Sequence, residues 1–231
     1  MRIDIVTIFP KMFEGVFAEG IVRIAGEKKL LDVRTHDLRD YSGNKHRKVD
    51  DAPYGGGPGM VMTAEPILRC VETLSEEAAR AGARKPRVIV LTPQGRKLDH
   101  GLAVEYALED RLVLICGHYE GIDERVVEIL RPDELSLGDF VLSGGEIPAM
   151  ALVDAVARQI PGVLGDPESL SNESFVAGML DYPHYTRPRV VRGMKAPEVL
   201  FSGNHAEIEK WRRAQSNERT RARRRDLGAK P

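Results

Sequence analysis

The stretch RLVLICG, residues 111–117, decides the fold class of this 231-residue chain. Five consecutive apolar residues lie between Arg111 and Gly117, a run of the length of a strand rather than of a helix. A strand that is apolar throughout, rather than at alternate positions, is typical of a parallel sheet that helices cover on both faces. The stretch RVIVLTP (87–93) has the same character. The sequence therefore predicts an α/β protein with a parallel sheet.

Strand and helix patterns alternate on both sides of that stretch, up to residue 160. Apolar runs predict strands at 2–9, 30–38, 87–93, 111–117 and 133–138. Helical spacing of apolar residues predicts helices within 11–29 and at 64–82, 98–109, 122–130 and 146–160, and a long polar, glycine-rich loop at 39–60. A basic helix around Trp211 is predicted at 205–225. We expect a main domain at 1–160, a flexible linker at 161–175 and a small helical, basic domain at 176–231.

Composition restricts the class of protein. An apolar fraction of 42% with 30% charged residues is typical of a soluble globular chain. No apolar stretch approaches 18 residues and the first residues do not resemble a secretory signal, so no membrane segment is expected. Cys70 and Cys116 lie in apolar surroundings, which predicts buried thiols in a reducing cytoplasm. No close Cys/His pair is present, and no metal site is predicted.

Charge is distributed unevenly along the chain. From Lys210 to Pro231 there are nine Lys or Arg residues against two acidic ones, a net charge of +7. The rest of the chain therefore carries −8, given the total of −1. A basic tail on an acidic body predicts a polyanionic partner, nucleic acid first, while a solvated helix end that binds nothing is the alternative.

Three glycine loops follow predicted strands: TPQGR (92–96), CGHYEG (116–121) and LGDFVLSGGE (137–146). None has the spacing of a phosphate-binding or dinucleotide-binding motif, and Glu120, Asp139 and Glu146 would repel a phosphate. The carboxyl ends of parallel strands form the crevice in which such sheets bind ligands. Carboxylates and backbone amides there suit S-adenosylmethionine, which has ribose hydroxyls and a sulfonium in place of phosphates. The alternative is that the glycines only form tight turns.

Three groups of residues have the chemistry of a reactive site. Arg158 lies on the apolar helix 146–160 and either pairs with Asp154 or points at a substrate. Cys116 beside His118 has the composition of a cysteine nucleophile, but its strand favours a packed thiol. Residues 172–190 combine carboxylate, aromatic and guanidinium groups, which predicts either a base-reading site or a solvated linker: Glu173, Asp181, His184, Tyr185 and Arg187.

Five motifs occur together in an order that resembles one family. YGGGPGM (54–60), LTPQGRKL (91–98), LICGHYEGIDERV (114–126), SLGDFVLSGGE (136–146) and MLDYPHYTRP (179–188) are similar to those of bacterial tRNA (guanine-N1)-methyltransferases of the SPOUT class. The resemblance covers essentially the whole chain. It implies a trefoil knot in the α/β domain, a linker, a small helical tRNA-binding domain, and a homodimer with its active sites at the subunit interface. It also implies methyl transfer from S-adenosylmethionine to N1 of the guanosine at tRNA position 37, next to the anticodon and after another guanosine.

The resemblance also assigns roles to individual residues. The residues implied to bind the methyl donor are Leu91, Thr92, Pro93, Gln94, Gly95, Gly117, Tyr119, Glu120, Gly121, Ser136, Leu137, Gly138, Phe140, Leu142, Gly144, Gly145 and Pro148. Arg158 matches the catalytic arginine, which stabilises charge on guanine O6. Glu173 occupies the position of the general-base aspartate, and because it departs from the family pattern, Asp181 competes for that role.

Further expectations and two other functions accompany the resemblance. Dependence on Mg²⁺ is implied, with no ligand set that shows where the ion binds. The loop 39–60 and the tail from Lys210 are expected to contact RNA phosphates. The alternatives are a related SPOUT methyltransferase that acts on ribosomal RNA or on a ribose hydroxyl, and an RNA-binding factor without catalysis.

Overall fold

The computed structural model describes residues 1–165 and 173–229, in two compact units that divide after Gly165. The strands of the first unit are β1 (Arg2–Thr7), β2 (Asp32–Asp37), β3 (Asp50–Asp51), β4 (Val61–Met62), β5 (Arg87–Lys97), β6 (Arg111–Cys116) and β7 (Asp133–Ser136). Its helices are α1 (Glu14–Phe17), α2 (Gly20–Glu27), α3 (Ala64–Arg80), α4 (His100–Ala107), α5 (Arg125–Leu130) and α6 (Glu146–Ala157), with 3-10 helices at Pro10–Phe13 and Leu38–Tyr41. Each predicted strand is present, with ends that differ by a few residues.

Five strands form one parallel sheet in the order β2-β1-β6-β5-β7. Successive residues of a strand point to opposite faces, and both faces are apolar. On one face, Leu112 and Leu114 pack with α2, α4 and α6, and on the other Val113 and Ile115 pack with α3 and α5. The predicted α/β class, with a parallel sheet covered on both faces, is confirmed.

Both cysteines are fully buried, as predicted, one in each apolar core. Burial raises the pKa of the Cys70 thiol to about 12. Burial, with the nearby charge of Glu146, raises the pKa of Cys116 well above its usual value. Because the thiolate is the nucleophilic form, the packed interpretation of Cys116 holds.

The edge strand β7 pairs with β5 twice, which the sequence did not reveal. Leu135 lies opposite Leu91 and again opposite Arg96, so residues 92–95 bulge out of the ladder. Strand β5 therefore continues to Lys97 rather than ending at residue 93 as predicted. Gly95 lies against the backbone of β7, where an added Cβ would approach Glu134 and Leu135 to well under 3.0 Å.

A buried carboxylate, Asp4, ties β1 to its neighbours in the sheet. It accepts hydrogen bonds from Arg2, from His36 at 2.8 Å and from Arg111 at 2.8 Å. Burial by itself raises the pKa of Asp4, but the hydrogen bonds from His36 and Arg2 and the charge of Arg111 outweigh it, and the pKa lies below its usual value of 3.8. This cluster therefore stabilises the sheet while Asp4 is ionised.

Two predicted boundaries differ in the first unit. Helix α6 ends at Ala157, so Arg158 is its C-cap residue rather than an interior residue of a helix 146–160. The predicted linker 161–175 begins within the first unit, because Val163 is buried in its core. Residues 166–172 of that linker lie outside the described residues.

In the second unit, the described residues form β8 (Val190–Val191), β9 (Met194–Lys195), a 3-10 helix at Glu198–Phe201, α7 (His205–Arg223) and a 3-10 helix at Arg225–Ala229. The hairpin β8–β9 was not predicted; its two turn residues, Arg192 and Gly193, both have positive φ, as a type I′ turn requires. From α7, Ser216 donates to the carbonyl of Leu180, whose N–H donates to Thr220 Oγ1 at 2.9 Å. Helix α7 thereby fixes the segment before Asp181.

None of the helices in the described part of the chain is long and apolar enough to span a membrane.

Candidate functional site

A cavity of about 300 Å³ opens beside the bulge of β5 and at the carboxyl ends of β6 and β7, where the three glycine loops meet. Its volume is at the lower end of the range of small-molecule sites. Fifteen of the predicted donor-binding residues line it: Leu91, Thr92, Pro93, Gln94, Gly117, Tyr119, Glu120, Gly121, Ser136, Leu137, Phe140, Leu142, Gly144, Gly145 and Pro148. Gly95 and Gly138 do not line it. The structure thus brings three separate stretches of sequence around one space.

The charges around the cavity have one sign. Glu120, Glu124 and Glu134 line it, and no Lys or Arg is among the described residues that do. Such a cavity repels phosphates and favours a cationic ligand. Sequence reasoning named Glu120 but missed Glu124 and Glu134, which lie outside the three glycine loops.

Gly145 has a packing role, because the backbones of β6 and of the loop before α6 approach each other closely at this residue. Its N–H donates to the carbonyl of Gly117 at 2.8 Å. An added Cβ would lie 2.7 Å from Cys116 Cα, although the backbone at φ −78° suits any residue. A side chain at this position would therefore force β6 and the loop before α6 apart.

The loop 118–121 is held by the end of the long loop at 39–60 and by β4, which follows it. The N–H of Glu120 donates to Met60 O at 3.1 Å, and the N–H of Met62 donates to Gly121 O at 3.0 Å. Tyr119, with φ 60°, has left-handed backbone, which this clamp stabilises. The loop 39–60 thus helps to shape the cavity by holding residues 118–121, a role that the sequence did not suggest.

Behind the cavity lies a buried polar group that sequence reasoning did not assemble. Glu146, the first residue of α6, is 2% exposed. Its Oε1 accepts a hydrogen bond from Thr7 Oγ1 at 2.8 Å, and its Oε2 lies 3.7 Å from Nδ1 of His118, which lines the cavity. Thr7 and Glu146 are 139 positions apart in the sequence, so only the fold brings them together.

Arg158 and the two candidate bases belong to different units. Arg158 is half-buried, and its backbone N–H donates to Asp154 O at 3.3 Å. Asp181 accepts hydrogen bonds from the N–H of Tyr182 at 2.7 Å and from His184 Nε2 at 2.8 Å. Its own N–H donates to Ser174 Oγ at 2.9 Å, next to Glu173.

That last bond closes the segment 174–181 into a loop, so that both candidate carboxylates lie at its ends. Within this loop, the N–H of Phe175 donates a hydrogen bond to Met179 O at 2.7 Å. Aromatic and basic side chains surround Asp181: the Tyr182 and His184 rings are 4.8 Å apart, and the Arg212 guanidinium lies 4.9 Å from the Tyr182 ring. Within the described residues no group of three or more His, Cys, Asp or Glu has the arrangement of a metal site.

The chain is similar to one family along its whole length. The family model described as tRNA (Guanine-1)-methyltransferase TrmD matches residues 1–230. A tRNA (guanine-N(1)-)-methyltransferase of Moorella thermoacetica is 54% identical over 232 residues, which cover 100% of this chain and 91% of the relative. The protein of the same name from Alkaliphilus oremlandii is 52% identical over 228 residues, 98% of this chain and 92% of the relative. The protein of the same name from Geotalea uraniireducens is 53% identical over 227 residues, which cover 98% of this chain and 90% of the relative.

Proposed function

The chain belongs to the tRNA (guanine-1)-methyltransferase family, and from this premise we propose that it transfers a methyl group from S-adenosylmethionine to N1 of one guanosine in tRNA. The family is the one that the sequence motifs predicted. A tRNA substrate also agrees with the net charge of +7 on the last 22 residues, and it implies action in the cytoplasm.

The observation that carries the choice of donor is the charge of the cavity. Glu120, Glu124 and Glu134 line it without a Lys or Arg among its described residues. Carboxylate oxygens accept hydrogen bonds from ribose hydroxyls, and they favour a sulfonium and an ammonium over the phosphates of a nucleotide. The glycine loops supply backbone amides and carbonyls at close range, and Leu91, Leu137 and Pro148 supply apolar surface. The bound donor supplies an electrophilic methyl group.

The remaining chemistry concerns the proton on guanine N1. A carboxylate that removes this proton leaves an electron pair on N1 for the new N–C bond, while the negative charge spreads to O6. We assign the removal of this proton to Glu173, which occupies the general-base position of the family, with Asp181 as the competitor. We assign the stabilisation of O6 to the Arg158 guanidinium, which is permanently charged.

Several finer features come from the family resemblance. They are the guanosine at position 37 after another guanosine, a homodimer with active sites at the subunit interface, and a trefoil knot around the donor cavity. RNA contacts by the loop 39–60 and by the tail belong to the same proposal. Dependence on Mg²⁺ also comes from the resemblance, and no step is assigned to the ion.

The test is methylation by labelled S-adenosylmethionine of two unmodified tRNA transcripts that differ only at position 37, guanosine against adenosine. We expect label on N1 of guanosine in the first transcript and none in the second. Equal labelling of both, or labelling of ribosomal RNA alone, would contradict the proposal. Donor binding without any transfer would instead support an RNA-binding factor.

A further inference from the structure

The buried carboxylate of Glu146 has a fixed orientation behind the donor cavity. Thr7 Oγ1 accepts the N–H of Phe9 at 2.9 Å and donates its own hydrogen to Glu146 Oε1 at 2.8 Å. Both Thr7 and Glu146 are buried. The second oxygen of Glu146 then faces His118, which among the described residues is the one basic side chain within ion-pair distance of it.

The position of Glu146 determines which nitrogen of His118 carries a proton. Nδ1 is closed to solvent, has no hydrogen-bond partner among the described residues and lies 3.7 Å from Glu146 Oε2. A lone pair on Nδ1 would face a carboxylate and be repelled, whereas an N–H would be attracted. Since a neutral imidazole has one donor and one acceptor nitrogen, Nε2 is the acceptor.

The imidazole ring of His118 is held in place on several sides. It makes edge-to-face contacts with Phe9 and Tyr119, at centroid distances of 5.0 and 4.9 Å. Gly144 leaves no room for a Cβ, which would collide with both the Glu146 carboxylate and Nδ1. The side chain is 20% exposed although Nδ1 is sealed, so its exposed part lies on its other atoms, and His118 lines the cavity.

We propose that His118 is a donor-positioning residue: Glu146 fixes its Nδ1–H tautomer, so that Nε2 accepts a hydrogen bond from an N–H group of the bound methyl donor. This rests on the proposed function of the cavity. S-adenosylmethionine carries two such groups, the adenine amino group and the methionyl ammonium. An acceptor in a cavity lined by carboxylates also suits a ligand whose nitrogens are donors. The 3.7 Å separation exceeds a hydrogen bond, so Glu146 acts on the tautomer through its charge.

The first experiment reads the tautomer without any ligand, by ¹⁵N NMR of the His118 ring. We expect protonated Nδ1 and unprotonated Nε2 in the wild type. In Glu146→Gln the amide oxygen takes the Thr7 hydrogen and the amide N–H faces Nδ1, so we expect the tautomer to reverse. Protonation at Nε2 alone in the wild type would overturn the proposal.

The second experiment measures S-adenosylmethionine binding by titration calorimetry. We expect affinity to fall about tenfold in Glu146→Gln and in His118→Phe, which keeps the aromatic contacts, as the loss of one hydrogen bond predicts. The double variant should bind no more weakly than His118→Phe, because Glu146 acts through His118. Glu128→Gln, which removes an exposed carboxylate from α5, is the matched control and should bind as the wild type does.

Three outcomes separate this proposal from the proposed function. If the wild type binds no S-adenosylmethionine, the proposed function falls and this proposal falls with it. If the wild type binds but His118→Phe binds equally well, only the role of His118 is refuted. Additive losses in the double variant would refute the action of Glu146 through His118. Should Glu146→Gln fail to fold, the wild-type tautomer and the His118→Phe affinity still decide.

Discussion

Replacing Gly95 by alanine tests whether the close approach of β5 and β7 builds the donor cavity. No positive φ is required at Gly95, so the backbone accepts alanine and only the space is lacking. The new Cβ would meet the backbone of Glu134 and Leu135, which cannot turn away as a side chain could. Moving β7 also breaks its second pairing, at Arg96. We therefore expect a loss of about 3 kcal/mol in the free energy of unfolding, the upper end of the range for overpacking.

For a unit of this size that loss lowers the melting temperature by about 6–12 °C. Because β7 ends at Ser136 and is followed by Leu137, both of which line the cavity, donor affinity measured by calorimetry should fall about tenfold or more in a variant that still folds. Gly15→Ala is the matched control. Gly15 lies in α1 with nothing within 4 Å of an added Cβ, so the substitution should raise the free energy of unfolding by up to about 1 kcal/mol. A Gly95→Ala protein that melts and binds donor as the wild type does would refute this account of the glycine.

Four further predictions concern the chemistry, the buried charge and RNA binding. Arg158→Ala should lower single-turnover methyl transfer about 100-fold or more while donor affinity remains; full transfer would remove its role. Glu173→Gln should lose far more activity than Glu173→Asp, on the order of 100-fold, and if Asp181→Asn is inactive while Glu173→Gln is not, the base is Asp181. Because the folded-state pKa of Asp4 is depressed, the stabilisation that its carboxylate provides is present above the unfolded value of 3.8 and is lost as the pH falls through the folded pKa. The free energy of unfolding by urea should therefore fall less steeply with decreasing pH in Asp4→Asn than in the wild type, and an unchanged slope would contradict this. Arg221→Gln, an exposed change on α7, should weaken tRNA binding and reduce its salt slope by about 1, whereas an unaltered slope would exclude Arg221 as a phosphate contact.

Local patterns predicted much of the main unit because they coincide with its tertiary structure. The run 111–117 is apolar on both faces, and β6 is buried on both faces at the centre of the sheet. The hairpin at 190–195 escaped prediction because its turn has Arg192 at positive φ, where asparagine or aspartate is the usual signal. Strand β5 was predicted too short because its continuation depends on β7, which returns to it about 40 residues later.

The candidate site was predictable where its residues are consecutive and not where they meet only in space. The glycine loops stand out in the sequence, and they contain twelve of the fifteen cavity residues that the family resemblance assigned. The sequence indicated only that Glu146 is one of three carboxylates that would repel a phosphate, because nothing in SGGE indicates that Thr7 lies beside it. Likewise, only the fold shows that Ser174 contacts Asp181. The roles of Arg158, Glu173 and Asp181 in transfer stay predictions.

The acidic lining of the cavity also bears on turnover. When the methyl group leaves, the sulfonium becomes a neutral thioether, and the ligand loses one positive charge. Glu120, Glu124 and Glu134 then attract the spent ligand less than they attracted the incoming one, with the difference set by charge alone. With S-adenosylmethionine as the proposed donor, each methyl transfer would thus weaken the electrostatic attraction of the cavity for the by-product and favour its exchange for fresh donor.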